Sequence, residues 1–469
     1  MSLFKNKKPG TSSNVKVNTT IKKSKQITDE SLNIQQKKRK LESQTSPTVE
    51  KRDIKSDKLN YKGNWLRDND TPVERHPITL KSVDNGLFDN TISSKQLVDM
   101  NIKQYIRCTF LFIRIFNFDD FSAENVPTIT LTLPGRAFEE FPLLIPKNNE
   151  NYSPLHDLIK TITLLVHHFV PPSSQSLFGV IPEDDADFIT SNDTNILRLI
   201  QRSFNRREGT SFCNAVETFN KRFLELIDKN EITNHLNNAK GIHPRVWQHI
   251  SDQTYQRVVG PRVNELRQYE AFSSNIYGEI LSPFVAHIAH KLNIGPNSTF
   301  IDLGAGVGNL VLQMSLATGC KSFGVEQMKI PADLGFIQLE EGTKRSAMYG
   351  LLVGDMDFEK GDMCNSQKLN GLLPKADYIL VNNSFSAELN ERLSLIFLDL
   401  KDGVKIVSLK PFLSNNFRIT DATVNSPLAI LEMEKGEYFA GSVSWTDAGG
   451  SYYVHRVDRS KLNSYLKSK

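Results

Sequence analysis

Short apolar runs alternate with helical segments along the carboxyl-terminal half of the chain. The runs TFIDLG, KSFGVEQ, ADYILVNN and VKIVSLKPF each suit one buried strand, and helical segments alternate with them. Alternating β and α units are typical of a parallel sheet covered by helices on both faces. Residues 236–469 are therefore predicted to form an α/β domain. Two last segments, GSVSWTD and SYYVHRVD, are predicted to pair as a closing antiparallel hairpin.

Residues 76–235 have a less regular pattern. YIRCTFLFIRIFNF and TITLTLPG indicate β-strands, whereas NILRLIQRSF and FCNAVETFNKRFLELI indicate amphipathic helices. Another helix is predicted to start with Ser153 as N-cap and Pro154 at its first position, and to end before Pro171-Pro172. His167-His168 in this helix is a poor metal pair, because adjacent helical residues point in different directions. We expect an accessory region of mixed α and β structure.

The first 75 residues are polar and too poor in apolar side chains to form a core, so we expect a disordered arm. Residues 1–60 contain 15 Lys+Arg and 6 Asp+Glu, whereas the whole chain has a formal net charge of only +4. A basic arm therefore precedes a mildly acidic body, an arrangement common in nucleic-acid binders. The cluster Lys37-Lys38-Arg39-Lys40 is of the kind that nuclear import receptors bind, although solvated charge runs are also common.

Composition excludes several other classes of protein. The chain has 469 residues, 39% of them hydrophobic, which is enough for one or two packed cores. No apolar run is long enough to span a bilayer and the amino terminus does not resemble a signal peptide, so we expect an intracellular protein with no membrane partner. Cys108, Cys213, Cys320 and Cys364 form no CxxC pair. We expect buried, reduced thiols and no metal site.

The stretch FIDLGAGVGNLVLQM, residues 300–314, joins a predicted strand to a predicted helix through Gly304, Gly306 and Gly308. Glycines let the chain turn sharply and let a ligand approach the backbone, and the following helix supplies free N–H groups. A nucleotide-like cofactor docks at this place in a doubly wound sheet. A purely structural turn is the alternative.

Two acidic residues narrow the choice of cofactor. Asp302 makes the motif DxGxGxG, which differs from the GxGxxG of dinucleotide enzymes and disfavours a dehydrogenase. Glu326 follows at roughly the ~20-residue distance of an acid that holds a ribose. Asp302 is placed to hold the ammonium of an amino-acid-bearing cofactor. S-adenosylmethionine has both a ribose and an amino-acid ammonium. The alternative interpretation of Glu326 is a surface carboxylate.

The pieces YGEIL, DLGAGVGNLVLQ, GVEQMKIPADL, VNN, VSLKPF, NFRI, GSVSWT and SYYVH occur in this order over roughly residues 240–465. Together they resemble the disruptor-of-telomeric-silencing family, fungal type, of histone H3 lysine methyltransferases that lack a SET domain. The resemblance implies a Rossmann-like seven-stranded class I methyltransferase fold. It also implies methyl transfer from S-adenosylmethionine to a lysine on the globular core of histone H3 in nucleosomes.

The resemblance implies roles for individual residues of the cofactor cleft. Tyr277, Gly278 and Glu279 lie on a loop that closes over the methionine part. The cleft is lined by Asp302, Gly304, Gly306 and Asn309, and Glu326 holds the ribose. Asp362, in the second of two GDM copies, accepts from the adenine amino group, with Met363 against the ring. Asn382 ends the fourth strand beside the reacting centre, and Trp445 and Tyr452 wall the lysine channel.

The resemblance also implies partners and a location. The basic arm contacts nucleosomal DNA, the protein is nuclear, and ubiquitylated nucleosomes are a possible partner. Telomeric silencing and the DNA-damage checkpoint are the processes implied.

One departure from the family pattern stands at Ser384-Phe385-Ser386, where the family has more aromatic residues. It puts part of the channel wall in doubt. A catalytically silent nucleosome-binding module is therefore one alternative, and a methyltransferase for nucleic acid or small molecules is another. VNNSFS differs from the [DN]PP[YF] of DNA amino-methyltransferases, which argues against a DNA substrate.

Overall fold

A computed structural model of the chain describes residues 90–107, 126–149, 151–180, 195–239, 241–270, 278–382 and 386–469. The basic arm 1–75, Cys108, Tyr277 and the run 383–385 lie outside the described residues, so what the sequence predicts for them remains a prediction.

The amino-terminal part of the described chain, residues 90–239, combines helices with short antiparallel strands. Its elements are α1 Ser94–Met100, β1 Tyr105–Arg107, β2 Thr128–Thr132, β3 Phe138–Pro142, β4 Leu144–Pro146, α2 Pro154–His168, α3 Pro172–Gln175, α4 Ile196–Arg206, α5 Gly209–Asp228 and α6 Glu231–Asn237. β1 pairs with β4, and β2 pairs with β3. Ser153 and Pro154 begin α2 as predicted, and the ring of His168 stacks on that of His243.

The carboxyl-terminal part, from residue 241 on, contains the main sheet. Its elements are α7 Pro244–Val258, α8 Val263–Glu270, α9 Ser282–Leu292, β5 Thr299–Leu303, α10 Asn309–Thr318, β6 Lys321–Glu326, α11 Lys329–Met348, β7 Met356–Lys360, α12 Gln367–Leu372, β8 Tyr378–Val381, α13 Ala387–Ile396, β9 Lys405–Ser408, β10 Leu431–Tyr438, β11 Gly450–Val457 and α14 Ser460–Lys467.

Seven strands form this sheet in the order β10-β11-β9-β8-β5-β6-β7. The strands β5 to β9 are mutually parallel, and β11 runs antiparallel to both of its neighbours. This order and the single reversed strand are those of the Rossmann-like seven-stranded class I methyltransferase fold. The predicted fold class is therefore confirmed.

The predicted closing hairpin has a different first strand. β11 contains SYYVHRV as expected, but it pairs with β10, so that Gly436 lies opposite Tyr452. GSVSWTD, residues 441–447, lies in the connection between the two strands, where Val443 makes an isolated bridge to Ile280. The strand prediction for GSVSWTD was wrong because the true partner, LEMEKGEY, has the charges of an edge strand rather than an apolar alternation. Strand β7 was not predicted from the sequence either.

Successive residues of the central strands face opposite sides of the sheet and enter two different cores. Phe300 and Leu380 pack into a large cluster that also contains residues of the amino-terminal part, such as Phe219. Ile301 and Ile379 pack into the second cluster, on the other face. Both faces of the sheet are thus covered, which explains why its strands read as nearly continuous apolar runs.

A buried ion network joins the amino-terminal part to the helices that cover the sheet. Arg257 of α7 contacts Glu139 at 2.7 Å and Asp157 at 2.9 Å, and Arg345 of α11 contacts Glu139 at 3.0 Å. All four side chains are at most 6% exposed. Burial alone would raise the pKa of Asp157, but Arg257 beside it lowers this pKa to about 2. The four charges are therefore mutually compensated.

Three of the four cysteines lie in the described ranges, and all three are free thiols. Cys320 is buried as predicted, whereas Cys213 and Cys364 are partly exposed, so the expectation of burial was wrong for these two. None of the helices in the described ranges combines the length and the apolar character that crossing a membrane requires.

Candidate active site

A glycine turn connects β5 to α10. Gly304, Gly306 and Gly308 have φ angles of 84°, 54° and 75°, in the left-handed region that favours glycine. Gly308 is the N-cap of α10, so the helix begins at Asn309 as predicted. The first N–H groups of a helix have no partner within it, and they suit the electronegative groups of a ligand.

Three of the predicted site residues lie side by side at the carboxyl ends of neighbouring strands. Leu303 of β5 is in register with Val325 of β6 and with Val381 of β8. The next residue on each strand is Gly304, Glu326 or Asn382, so these three lie in one row at the carboxyl edge of the sheet. Ligands of open α/β sheets bind at this edge.

Asp302 is 4% exposed, and no described residue donates a hydrogen bond to its carboxylate. Burial, with a smaller contribution from repulsion by Glu326, raises the pKa of Asp302 to about 8. A carboxylate that is desolvated and unpaired favours a cationic partner. The surroundings of Asp302 therefore suit an ammonium group.

Glu326 is held by backbone N–H groups. Gly306 N–H donates to its Oε2, and Met328 N–H to its Oε1, each at 2.8 Å. Burial raises the pKa of Glu326 in spite of these bonds. Each carboxylate oxygen has two lone pairs, so the fixed side chain can still accept hydrogen bonds from hydroxyl groups.

Asp362 follows β7 at the same edge of the sheet, since the Gly361 N–H donates to the Glu326 carbonyl at 2.9 Å. Its carboxylate accepts from Cys364 N–H at 2.9 Å, from Asn365 and from Arg392. Burial opposes ionisation, but these donors hold the pKa of Asp362 below its usual range. Met363 is buried in the second apolar cluster. The first GDM copy, residues 354–356, leads into the start of β7 and so lies at the other end of that strand.

The segment from Gly278 to Leu281 is tied down from several directions. The Asn382 side chain donates to the Gly278 carbonyl at 3.2 Å. Glu279 N–H donates to Ser444 Oγ at 2.8 Å, and Ser444 N–H donates back to the Glu279 carbonyl at 2.9 Å. The Glu279 carboxylate accepts from Tyr255 and from Asn309, at 2.9 and 3.3 Å. This segment therefore links the glycine turn to the connection between β10 and β11.

The two predicted aromatic residues of the channel lie in different surroundings. Trp445 is 42% exposed, and a Cβ at Gly278 would overlap its ring, so the indole covers that glycine. Trp445 was expected to lie on a strand, but it lies in the connection between β10 and β11. Tyr452 is fully buried, and its hydroxyl is hydrogen-bonded to His287 Nε2 at 2.9 Å. Burial raises the pKa of this phenol.

The site region matches a family of known proteins. A family model described as "Histone methylation protein DOT1" matches residues 255–457. A protein of Mycosarcoma maydis named "Histone-lysine N-methyltransferase, H3 lysine-79 specific" is 44% identical over 279 residues, which are 58% of this chain and 35% of that protein. The Aspergillus fumigatus protein of the same name is 34% identical over 351 residues, 74% of this chain and 68% of that one.

The chain belongs to the DOT1 family of histone methylation proteins.

This chain matches only part of the length of its relatives in the DOT1 family. The Emericella nidulans relative, which has the same name, is 34% identical and 64% covered. Among solved structures, an RNA methyltransferase of Salinibacter ruber in complex with S-adenosyl-L-homocysteine is 19% identical, with a TM-score of 0.22 over 27% of this chain and 73% of that one. A putative O-methyltransferase of Klebsiella pneumoniae is 11% identical, with a TM-score of 0.29 over 45% and 90%.

The cofactor of this DOT1-family chain is S-adenosylmethionine, as predicted, and the residues present fit it. The carboxylate of Asp302 is buried without a donor among the described residues, as a site for the amino-acid ammonium requires. Glu326 is fixed by two backbone bonds with lone pairs to spare for the ribose hydroxyls. Asp362 and Met363 follow the next strand at the same edge.

Three residues of the DOT1-family site were not found from the sequence. Tyr255 and Ser444 both hold Glu279, and His287 holds the Tyr452 hydroxyl. Ser444 and His287 are each 165 residues from their partner in sequence, and Tyr255 is 24 residues from Glu279. Helical periodicity predicts α7 and α9, but it says nothing about which distant side chain a polar residue will meet.

Proposed function

We propose that the protein is an S-adenosylmethionine-dependent histone-lysine N-methyltransferase that acts on a lysine of the globular core of histone H3 in nucleosomes. The observation that carries the proposal is that the match to the DOT1 family model, residues 255–457, contains every predicted residue of the cleft. The names of the fungal relatives, which specify lysine-79 of H3, support the choice of substrate.

S-adenosylmethionine, when bound, would supply an activated methyl group on a sulfonium, with a neutral thioether as the leaving group. The residues of the chain bind and orient. Asp302 holds the ammonium end and Glu326 the ribose, while Asp362 and Met363 hold the adenine. Asn382 fixes the Gly278 carbonyl, and so positions the segment that leads to Glu279. Holding two reactants in line removes much of the entropic barrier.

The substrate lysine must lose a proton before it can react, because its pKa in water is about 10.4. An apolar channel disfavours the ammonium and lowers that pKa. We assign the walls of this channel to Trp445 and Tyr452, with no side chain as a dedicated general base. Trp445 covers Gly278 next to the cleft, and Tyr452 is held by His287.

The proposal extends to partners and location. The basic arm, residues 1–75, supplies sequence-independent affinity for nucleosomal DNA through its lysines. The same arm, with Lys37-Lys38-Arg39-Lys40, directs the protein to the nucleus. Recognition of ubiquitylated nucleosomes and roles in telomeric silencing and the DNA-damage checkpoint follow from the family resemblance.

The test is transfer of a radiolabelled methyl group to intact nucleosomes and, in parallel, to free histone H3. We expect label on the core of H3 in nucleosomes and little on free H3. Label on nucleic acid alone would move the assignment to another methyltransferase class. Absence of label with normal cofactor binding would contradict the proposed substrate, and absence of both would favour a silent nucleosome-binding module.

The variant that tests the cofactor cleft is Gly304→Arg. Gly304 has a φ of 84°, so an arginine there strains the turn and fills it. We expect binding of S-adenosylhomocysteine, measured by calorimetry, to fall at least a hundredfold. Gly371→Arg is the matched variant, since nothing lies within 4 Å of a Cβ at Gly371. Retained affinity in Gly304→Arg would refute the site.

A further inference from the structure

Asp362, which we assign to the adenine end of the cofactor, is held by a helix that none of the predicted roles of the cleft uses. Arg392 of α13 donates from its Nη2 to Asp362 Oδ2 at 3.2 Å. Arg392 is 30 positions away in sequence, whereas Cys364 and Asn365, which also donate to this carboxylate, are within three positions of it. Among the described residues, Arg392 is therefore the donor to Asp362 that comes from another element of the fold.

The place of Arg392 is fixed by the packing of α13. Leu393, the next residue, is fully buried, and it enters the second apolar cluster together with Ile396 of the same helix. Met363, the neighbour of Asp362, belongs to the same cluster. The helix that carries Arg392 and the loop that carries Asp362 are thus anchored in one core, which gives the guanidinium a defined place beside the carboxylate.

The three donors occupy the two carboxylate oxygens of Asp362 unequally. Cys364 N–H donates to Oδ1 at 2.9 Å. Asn365 Nδ2 and Arg392 Nη2 both donate to Oδ2, at 2.6 and 3.2 Å. Each carboxylate oxygen has two lone pairs. Oδ2 is therefore fully used, whereas Oδ1 keeps one lone pair for a further donor.

We propose that Arg392 is a positioning residue for the adenine end of the cofactor. By completing the hydrogen bonds of Oδ2, it holds the carboxylate in one orientation, with the remaining lone pair of Oδ1 left for the amino group of the purine. A purine with a carbonyl in place of the amino group has no N–H to donate there, and its oxygen would meet the charge of Asp362. Sites built to accept a hydrogen bond reject such analogues strongly. The assignment rests on the proposed role of Asp362, and it does not depend on which substrate is methylated.

The alternative is an ordinary surface ion pair. The side chains of Arg392 and Asp362 are 44% and 27% exposed, so water screens their attraction and the pair adds little to the stability of the fold. A surface pair predicts that loss of Arg392 leaves the selectivity for the cofactor unchanged. A positioning role predicts a change in selectivity with little change in stability.

The experiment measures the binding of two compounds to the full chain by calorimetry at constant ionic strength. S-adenosylhomocysteine has the purine amino group, and S-inosylhomocysteine has a carbonyl in its place. We expect the unmodified chain to bind the adenosyl compound at least tenfold more tightly than the inosyl compound. Equal binding of the two compounds would overturn the proposal.

Arg392→Met removes the charge and the donors but keeps a long apolar stem. We expect it to lower the ratio of the two affinities at least threefold, with a nearly unchanged melting temperature. Arg392→Lys keeps a charge and a donor, so it should retain more than half of the ratio. An unchanged ratio in Arg392→Met would overturn the proposal. Equal weakening of both compounds would do the same, because that is the result of a purely structural role.

Lys401→Met is the matched control. Lys401 pairs with Asp377 at 2.8 Å, and these side chains are about as exposed as those of Arg392 and Asp362. Asp377 precedes β8 and so lies at the opposite edge of the sheet from the cleft. Lys401→Met should leave both affinities unchanged. A fall in the ratio equal to that of Arg392→Met would show that the effect does not come from the cleft.

A double-mutant cycle tests whether Arg392 acts through Asp362. Asp362→Asn keeps an acceptor for Cys364 N–H but loses the charge, so we expect it to lower the ratio by itself. In this background Arg392→Met should lower the ratio no further, and additive effects would overturn the proposal. No nucleosome is used, so the proposed histone substrate can fail while this assignment holds. If the unmodified chain bound neither compound, the cofactor cleft and the role of Arg392 would both be refuted.

Discussion

Asp302 and Glu326 show how the environment of a residue sets its part in binding. Both are buried at the ends of neighbouring strands, but Glu326 accepts two backbone N–H groups while Asp302 has no donor among the described residues. The pKa of Asp302 is accordingly raised to about 8. Near neutral pH the free protein therefore keeps this group mostly protonated, and an incoming ammonium must displace the proton.

We expect the affinity for S-adenosylhomocysteine to rise with pH between 6 and 8. Below its pKa of about 8, Asp302 must lose a proton when the ammonium binds, so the affinity should rise by up to about tenfold per pH unit and level off above that pKa. Calorimetry in buffers with different ionisation enthalpies would count the protons released. Asp302→Asn should bind weakly and without that proton release. A pH-independent affinity in the unmodified protein would contradict the role of Asp302.

At the scale of elements, the segment Gly278–Leu281 and the connection between β10 and β11 behave as one unit. Ile280 bridges Val443, Glu279 exchanges hydrogen bonds with Ser444, and Trp445 covers Gly278. The side chain that we assign to the lysine channel is therefore attached to the segment that we assign to the cofactor. We expect that ordering of the segment Gly278–Leu281 also orders the connection between β10 and β11.

Ser444→Ala should loosen this unit without changing the sheet. It removes the hydroxyl that accepts from Glu279 N–H, a bond of about 1 kcal/mol, so we expect a roughly three- to tenfold weaker affinity for S-adenosylhomocysteine. Ser442→Ala is the control, because Ser442 contacts Leu281 through its backbone carbonyl. An effect of Ser442→Ala equal to that of Ser444→Ala would show that the hydroxyl is not what holds the segment.

The elements that could be predicted from the sequence are those with a local signal. The glycine turn and strands β5, β6, β8 and β9 were found because apolar runs and glycine motifs are contiguous in sequence. β10 was missed because Glu432, Glu434 and Glu437 hide an edge strand, whose identity depends on pairing with β11. The contact of Tyr255 with Glu279 depends on how α7 packs against the segment Gly278–Leu281. No sequence window contains that information.

At the scale of the whole molecule, the amino-terminal part completes the core of the sheet part. Glu139 and Asp157 come from one side and Arg257 and Arg345 from the other, and all four are buried. The first apolar cluster likewise includes residues from both. Residues 90–235 therefore compensate buried charges and cover one face of the sheet.

Glu139→Ala should destabilise the protein by about 3–5 kcal/mol, because it leaves two buried arginines with one fewer counter-charge. Asp228→Ala is the control, since its pair with Arg136 is half exposed and should cost less than about 1 kcal/mol. Chemical denaturation measures both.

For the same reason a fragment of residues 236–469 should be poorly soluble when expressed alone. A soluble, cooperatively folding fragment would argue against this dependence.

Deletion of residues 1–60 should separate particle binding from cofactor binding. The arm's lysines and arginines outnumber its acids 15 to 6, so its loss should weaken nucleosome methylation about tenfold or more, and more strongly at low salt. The affinity for S-adenosylhomocysteine should not change. Equal losses of both activities would mean that the arm supports the fold rather than the nucleosome.

The ion network also sets an order of events during synthesis on the ribosome. Glu139 precedes Arg257 by 118 residues and Arg345 by 206. At about 5–20 residues per second, the last of these partners emerges roughly 10–40 s after the glutamate. Arg257 contacts both Glu139 and Asp157, so until Arg257 has emerged we expect the amino-terminal half to stay open and accessible to chaperones, and the network is complete only when Arg345 follows. The nascent chain is thus committed to folding late and nearly as a whole.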